Sequence, residues 1–199
     1  LSLLGFKGIA LYGLAALDIA FWDAFAKIHK KPFVNLLGGS IKKNIKSYNS
    51  RGLWLIENNK IAKEAETLKK EGDFKALKLR IGRDSYKQDI EAYNEVIKGA
   101  GFDTIIMSDF NQRFITSEAI RRCHDLDNIG FYWFEEPIQY NMLKDMKKIC
   151  KEINTPVTLG ENFHGPKDAH DALINESCDM IMPDLMRIGG VSGWIKTAS

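Results

Sequence analysis

Between residues 45 and 198 the sequence alternates six times between a short strand-like run and a longer helix-like one, and this leaves few folds open. The strand-like runs are 45–50, 74–81, 104–110, 130–136, 155–162 and 180–184. The helix-like runs are 59–70, 84–98, 116–126, 141–153 and 166–175, with a further start at 191–198. Repeated βα units joined by right-handed crossovers build a parallel sheet covered by helices. Two architectures compete, an open doubly wound sheet and an eight-stranded barrel. No glycine-rich phosphate fingerprint follows the first strand. Every strand after the first ends in polar or charged residues, whereas an open sheet gathers such groups at one switch point. The expected fold is α/β, a TIM-type (β/α) barrel with about six of its eight strands present.

The fourth strand carries the strongest local signal. Phe131-Tyr132-Trp133-Phe134 runs without a polar break into Glu135, Glu136 and Pro137. A short apolar run of this kind predicts a strand buried on both faces, and Pro137, lacking an N–H, ends it. Its terminal carboxylates are costly to bury without a counter-charge. The pattern recurs on either side, with Asp109 in Ser108-Asp109-Phe110-Asn111-Gln112 and Glu161 in Gly160-Glu161-Asn162. The same 26-residue interval separates Asp109 from Glu135 and Glu135 from Glu161. Three consecutive strands thus deliver one acid each to a common rim. Ionised neighbours raise one another's pKa, and a hard divalent cation relieves the repulsion. Mg²⁺ takes oxygen ligands at roughly 2.0–2.1 Å in an octahedron, so Asp109, Glu135 and Glu161 are the candidate metal ligands. Any one of them alone serves equally well as a helix cap or a rim ion-pair partner. Lys78 and Arg80, two residues apart, share one face of the preceding strand and set two cations against the acids. Asp184, after Pro183, is either a cap or an orienter for a histidine further along.

Upstream, Leu14, Leu17, Phe21, Phe25 and Ile28 recur at the period of an amphipathic helix over 13–29. Pro32 stops it, and Gly38-Gly39 closes the short piece that follows. The apolar stretch 8–25 carries Asp18 and Asp23, which argues against a membrane span, and no basic segment precedes it as in a signal peptide. A formal net charge of +2 supports neither a nucleic-acid surface nor a polybasic membrane patch. Lys42-Lys43 and the lysines of 144–151 are expected on solvated helix faces. Cys123, Cys150 and Cys178 are odd in number and lack metal-knuckle spacing, which points to a reducing, cytoplasmic compartment.

Taken together, Lys78-x-Arg80, Asp109-Phe-Asn111-Gln112, Glu135-Glu136-Pro137, Gly160-Glu161-Asn162 and Pro183-Asp184-Leu-Met-Arg187-Ile-Gly189-Gly190 resemble the enolase superfamily, and within it the mandelate racemase subgroup. The run from Ala15 to Asp23, then Lys27-Ile28-His29 and Leu36-Leu37-Gly38-Gly39, is similar to the segment leading into that family's barrel. The resemblance implies residues 1–43 as the end of a capping domain with its lead-in helix, and 44–199 as strands one to six of the barrel. It also implies Mg²⁺-assisted removal of the proton α to a carboxylate, giving a metal-stabilised enediolate. On that pattern Asp109, Glu135 and Glu161 bind the metal and Lys78 faces the substrate carboxylate. Asn111 faces the neighbouring hydroxyl, and Ser50 the carboxylate again. Asp184 would pair with a histidine base on a seventh strand. An acid at position 184, where the muconate cycloisomerase and dipeptide epimerase subgroup has a base lysine, favours the racemase and acid-sugar dehydratase side.

Arg80 departs from the family's more frequent second lysine. A free arginine holds its proton far above neutral pH and costs about 7–9 kcal/mol to neutralise at pH 7, so it is expected to clamp charge and not to act as a base. One-sided elimination by an acid-sugar dehydratase is therefore preferred over a racemase or epimerase of a 2-hydroxy acid. A non-catalytic metal-binding protein is the reading from another class. The expected partner is a small-molecule carboxylate, with no nucleic acid and no membrane, and the complete protein is expected to be a homo-oligomer. The histidine base is expected after Ser199, and the chain alone is expected to be inactive.

Overall fold

The computed structural model describes residues 5–41 and 44–199, so Lys42 and Lys43 lie outside the described residues. The elements run α1 (Gly8–Ile28), α2 (Phe33–Leu36), α3 (Asn58–Lys70), β1 (Ala76–Arg80), α4 (Tyr86–Ala100), β2 (Ile105–Asp109), α5 (Thr116–Leu126), β3 (Phe131–Glu135), α6 (Leu143–Glu152), β4 (Val157–Leu159), α7 (Pro166–Ile174), β5 (Met180–Ile181) and α8 (Gly190–Ala198). The five strands lie in chain order in one sheet, with parallel pairing from β1 through β4. A helix follows each strand, which makes this a partial (β/α) barrel preceded by the helices α1 and α2.

One expected strand is missing. The run 45–50 contributes only an isolated parallel bridge, Asn49 to Leu77. Asn49 N–H donates to the Ala76 carbonyl, and Lys78 N–H to the Asn49 carbonyl, each at 3.0 Å. The next ladder donor, Arg80 N–H, then reaches the Leu53 carbonyl at 2.9 Å. The residues between Asn49 and Leu53 loop out of register, and Leu53 takes a φ of 54° to close the loop. Ser50 consequently sits in that loop and ends no strand.

Contacts divide the chain into two compact units. The larger comprises Ser47–Leu159 and Asn175–Met180. Its core is Leu77, Leu79 and Ile81 with Ile106, Phe110 and Phe134, covered by Ile61, Ala65 and Leu68 of α3 and Ala92 and Val96 of α4. Ser85 and Gln88 form a capping box that starts α4. Helices α3 and α4 meet at Gly99, where an added Cβ would lie 1.8 Å from the Ala62 carbonyl oxygen.

The smaller unit comprises the described residues of Leu1–Lys46 with Gly160–Ile174 and Ile181–Ser199. Helix α1 is long and apolar enough, by length and composition alone, to cross a membrane. Its polar residues are nevertheless used for packing. Asp18 accepts from Ser192 N–H at 3.0 Å and Ser192 Oγ at 2.6 Å, and Trp22 Nε1 donates to the same hydroxyl at 3.0 Å. Asp18 thus caps α8 from another helix, and at Gly190 a Cβ would come within 2.5 Å of its carboxylate. The face of α1 that packs is Leu11, Ala15 and Ala26. The large apolar residues do not fill a core within this unit, with Phe21 71% and Ile28 76% exposed.

Candidate active site, a buried cation between two carboxylates

The site begins with a register irregularity. Ile106 pairs with Phe131, but Ser108 pairs with Phe134 and Asp109 with Glu135, so β3 holds one residue more than β2 over that step. A one-residue shift in a strand exchanges the faces of its side chains. Below the bulge the offset is 25 residues, which would set Asp109 beside Phe134. Above it the offset is 26, and Glu135 stands beside Asp109. The Ser108 hydroxyl donates to the Trp133 carbonyl at 2.9 Å, inside the irregular step. Tyr132, expected to be buried, is half-exposed there, while Phe131, Trp133 and Phe134 are buried.

Lys78 stands between the acids. Its Nζ lies 2.9 Å from both Glu135 carboxylate oxygens and 3.0 Å from Asp109 Oδ2. All three side chains are buried. Burial alone would pull the Lys78 pKa down, but the charges of Glu135 and Asp109 and the hydrogen bonds to both outweigh it and hold it above the ordinary lysine value. Lys78 is therefore a fixed cation at neutral pH.

Arg80 extends the same face. Its Nε is 3.7 Å from Asp109 Oδ2, its Nη1 donates to the Ser50 carbonyl at 2.8 Å, and its guanidinium lies 4.4 Å over the Trp54 ring. Its neighbour across the sheet is Asp109, in direct register. Tyr48 packs edge-on against Trp133 at 5.6 Å. Burial, and the charges of Glu135 and Asp109, raise the Tyr48 pKa against the opposing pull of Lys78 and Arg80. Tyr48 and Trp133 escaped the sequence reasoning. The signal was the strand period: Tyr48 is two residues from Ser50, and Trp133 two from Glu135.

Beyond β2 and β3 the backbone is held in sparsely populated conformations, with φ of 50° at Asn111, 58° at Gln112 and 41° at Glu136. Asp109 Oδ1 accepts from Asn111 N–H at 2.8 Å, and Gln112 Nε2 donates to Glu136 Oε2 at 2.8 Å. These bonds tie the two strand ends together and leave Asn111 exposed.

Glu161 and Asp184 lie in the smaller unit. The Glu161 side chain is 49% exposed, and Arg187 Nη1 lies 3.4 Å from its Oε1 and 2.7 Å from Asn162 Oδ1. Asp184 Oδ1 accepts from the backbone N–H groups of Met186 and Arg187, each at 2.9 Å, as a turn cap. The structure brings together Lys78, Arg80, Asp109 and Glu135, and gives Glu161 and Asp184 partners of their own. Among the described residues no three histidine, cysteine, aspartate or glutamate side chains form a cluster able to hold a metal ion. The donor chemistry of Asp109 and Glu135 nonetheless fits a hard divalent cation: both are buried carboxylates, and they already converge on one positive group.

Residues 60–199 match a family model described as enolase C-terminal domain-like. Arabinonate dehydratase from Saccharolobus solfataricus is 31% identical over 96% of this chain and 52% of its own length. A crystal structure of an enolase from alpha pretobacterium bal199 with bound Mg is 43% identical, with a TM-score of 0.95 over 98% of this chain and 55% of that one. Another, an enolase from Bradyrhizobium complexed with magnesium and mandelic acid, is 32% identical, with a TM-score of 0.91 over 99% of this chain and 54% of that one. The chain spans about half the length of the curated relatives it matches.

Proposed function

The chain belongs to the enolase superfamily, in its mandelate racemase and muconate lactonizing subgroup, and from that premise we propose that the protein it represents is an acid-sugar dehydratase. The single observation that carries this is the buried Lys78 ammonium held between Asp109 and Glu135, with Arg80 beside it. Removing a proton α to a carboxylate places a second negative charge on that group. Preorganised cations in a water-poor site stabilise such charge where it develops. Lys78 and Arg80 supply two fixed positive charges on one strand face. Asp109 and Glu135 would hold Mg²⁺, which when bound supplies further positive charge to the substrate carboxylate.

Neither β1 cation serves as the base. Lys78 is held protonated, and a guanidinium is too costly to neutralise. The proton is taken by a residue outside this group of four, from one side of the substrate. The electron pair left on the α carbon then expels hydroxide from the β carbon, and hydroxide leaves as water once protonated. One-sided abstraction followed by loss of water is dehydration, in keeping with the dehydratase named among the relatives. Racemisation is the second reading, favoured by the mandelic acid in one similar structure. The free state of Cys123, Cys150 and Cys178 is in keeping with a reducing, cytoplasmic compartment.

The test is to incubate the complete protein with Mg²⁺ and a panel of aldonic and aldaric acids in D₂O. The expected result is a 2-keto-3-deoxy acid that is lost on chelation with EDTA. Deuterium exchange without loss of water would establish the racemase reading instead, and no exchange with any acid would overturn both.

A further inference from the structure

We propose that Arg83 is a positioning residue for Arg80, a strut that holds the loop 53–56 against the end of β1 and through that loop sets where the Arg80 charge points. The inference deepens the proposed reaction and rests on it for the use made of that charge.

Arg83 lies three residues beyond β1, and its side chain is only 9% exposed. Its backbone is pinned from two sides. The fully buried carboxylate of Asp89, in the first turn of α4, accepts through Oδ1 from Gly82 N–H at 3.0 Å and Arg83 N–H at 3.1 Å. Arg122 of α5 donates through Nη1 to the Arg83 carbonyl at 2.9 Å and to Asp89 Oδ2 at 2.6 Å. With its root fixed, the Arg83 side chain turns back toward the strand. Nη1 donates to the Arg80 carbonyl at 3.0 Å, and Nη2 to the Ile56 carbonyl at 3.4 Å. All of these residues belong to the larger unit.

The two carbonyls sit on segments that hold each other. Ile56 closes the loop in which Leu53 is kept at a φ of 54° and Trp54 and Leu55 are half-exposed. That loop grips Arg80 through its Leu53 carbonyl, which accepts from Arg80 N–H, and through the Trp54 ring beneath the guanidinium. The Ser50 and Gly52 carbonyls just before it accept from Nη1 of Arg80. Arg83 completes the ring of contacts by holding Arg80 and the loop at once.

Stability alone is a poor reason for this arrangement. Burying a guanidinium costs free energy, and burial pulls the Arg83 pKa below the ordinary arginine value against the charge and hydrogen bond of Asp89. One fully buried carboxylate faces two guanidinium groups, those of Arg83 and Arg122. Buried ion pairs stabilise weakly, and their better use is to select one geometry. Here the geometry is that of a cation meant to meet a developing negative charge, where a misplacement of about 1 Å can cost roughly a hundredfold in rate.

The experiment labels the complete protein with 5-fluorotryptophan and follows it by fluorine NMR. The Trp54 line is assigned by its loss in Trp54→Phe, and those of Trp22 and Trp194 likewise. Arg83→Met keeps an apolar stem and removes every donor. It is expected to move or broaden the Trp54 line and to leave the Trp22 and Trp194 lines in place, which general loosening of the fold would not do. With an acid that the protein turns over, kcat is expected to fall about tenfold or more while KM stays within about twofold. Arg83→Lys keeps the charge but cannot span both carbonyls. It is expected to move the Trp54 line part of the way, and it carries the test should Arg83→Met not fold. Near-ultraviolet circular dichroism and the urea midpoint establish which variants are folded. A Trp54 line that stays in place in a folded variant, lines that all move together, or a moved line with kcat unchanged would each overturn the inference. A moved Trp54 line in a protein that dehydrates no acid would uphold the strut and overturn the dehydratase reading alone.

Discussion

Asp109 and Glu135 stand opposite each other in register across β2 and β3, and the bulge in β3 puts them there. Regular pairing onward from Ile106 and Phe131, without the bulge, would set Asp109 against Phe134 and turn Glu135 to the other face. The bulge leaves the Trp133 carbonyl to be satisfied from the side, and the Ser108 hydroxyl does so. Ser108→Ala is expected to destabilise the fold by about 1–3 kcal/mol, the cost of an unmet buried acceptor. Chemical unfolding measures that loss. The same variant is expected to weaken Mg²⁺ binding by the complete protein, because the register of the two acids loosens. Ser108→Thr, which restores a hydroxyl, is expected to recover part of both.

Removing the cation from this pair is the more severe change. Lys78→Met leaves two buried carboxylates facing each other, and about 3–5 kcal/mol is expected to be lost at pH 7. Thermal unfolding of the variant is expected to rise as the pH is lowered toward 4, where a proton replaces the missing ammonium. In the wild type the linkage has the opposite sense. The Lys78 pKa is raised in the fold, so its contribution is fully present below the unfolded-chain value of about 10.4. That contribution fades as the pH climbs from there through the folded value. Unfolding curves are expected to be level in this respect up to about pH 10 and to decline above it, a decline that Lys78→Met lacks.

Gly99→Ala tests the α3–α4 packing. The new methyl would meet the Ala62 carbonyl oxygen at 1.8 Å, and both groups are backbone-anchored. Helix α3 must move away, at an expected cost of about 1–3 kcal/mol, in spite of the better helix propensity of alanine. A lower urea midpoint with an unchanged slope is the expected reading.

The thiols are expected to be slow to react. Burial, with minor charge effects, pushes Cys150 up to about 12 and Cys178 up to about 11, and raises Cys123 further still. Alkylation follows the thiolate, so iodoacetamide at pH 8 is expected to modify the native protein far more slowly than the urea-unfolded chain. Labelling of native Cys178 as fast as in the unfolded chain would overturn this expectation.

Strand order and the shared face of Lys78 and Arg80 were readable because a two-residue period and a βα repeat are local properties. The common rim of Asp109 and Glu135 was readable only by counting residues, since nothing local in Phe131-Tyr132-Trp133-Phe134 marks a bulge. The first strand failed because its pairing stops after Asn49, which depends on where the loop through Leu53 returns to Arg80. Helix α1 misled in another way. Its large apolar residues have the right period, yet the face that packs on α8 is chosen by Asp18 and Trp22 meeting Ser192. The expected roles of Ser50, Asn111 and Asp184 came from the resemblance. Here Ser50 lends a carbonyl to Arg80 and Asp184 caps a turn.

The link between Asp18 and Ser192 spans 174 positions of the chain. During synthesis α1 leaves the ribosome early and must wait, its carboxylate in water, until the start of α8 has also emerged. Of the residues up to Ser199, the larger unit uses none beyond Met180, so its part of this sequence emerges sooner. Long-range contacts form slowly, so the order of emergence makes the smaller unit the later of the two to settle, and the one a chaperone would have more time to shield.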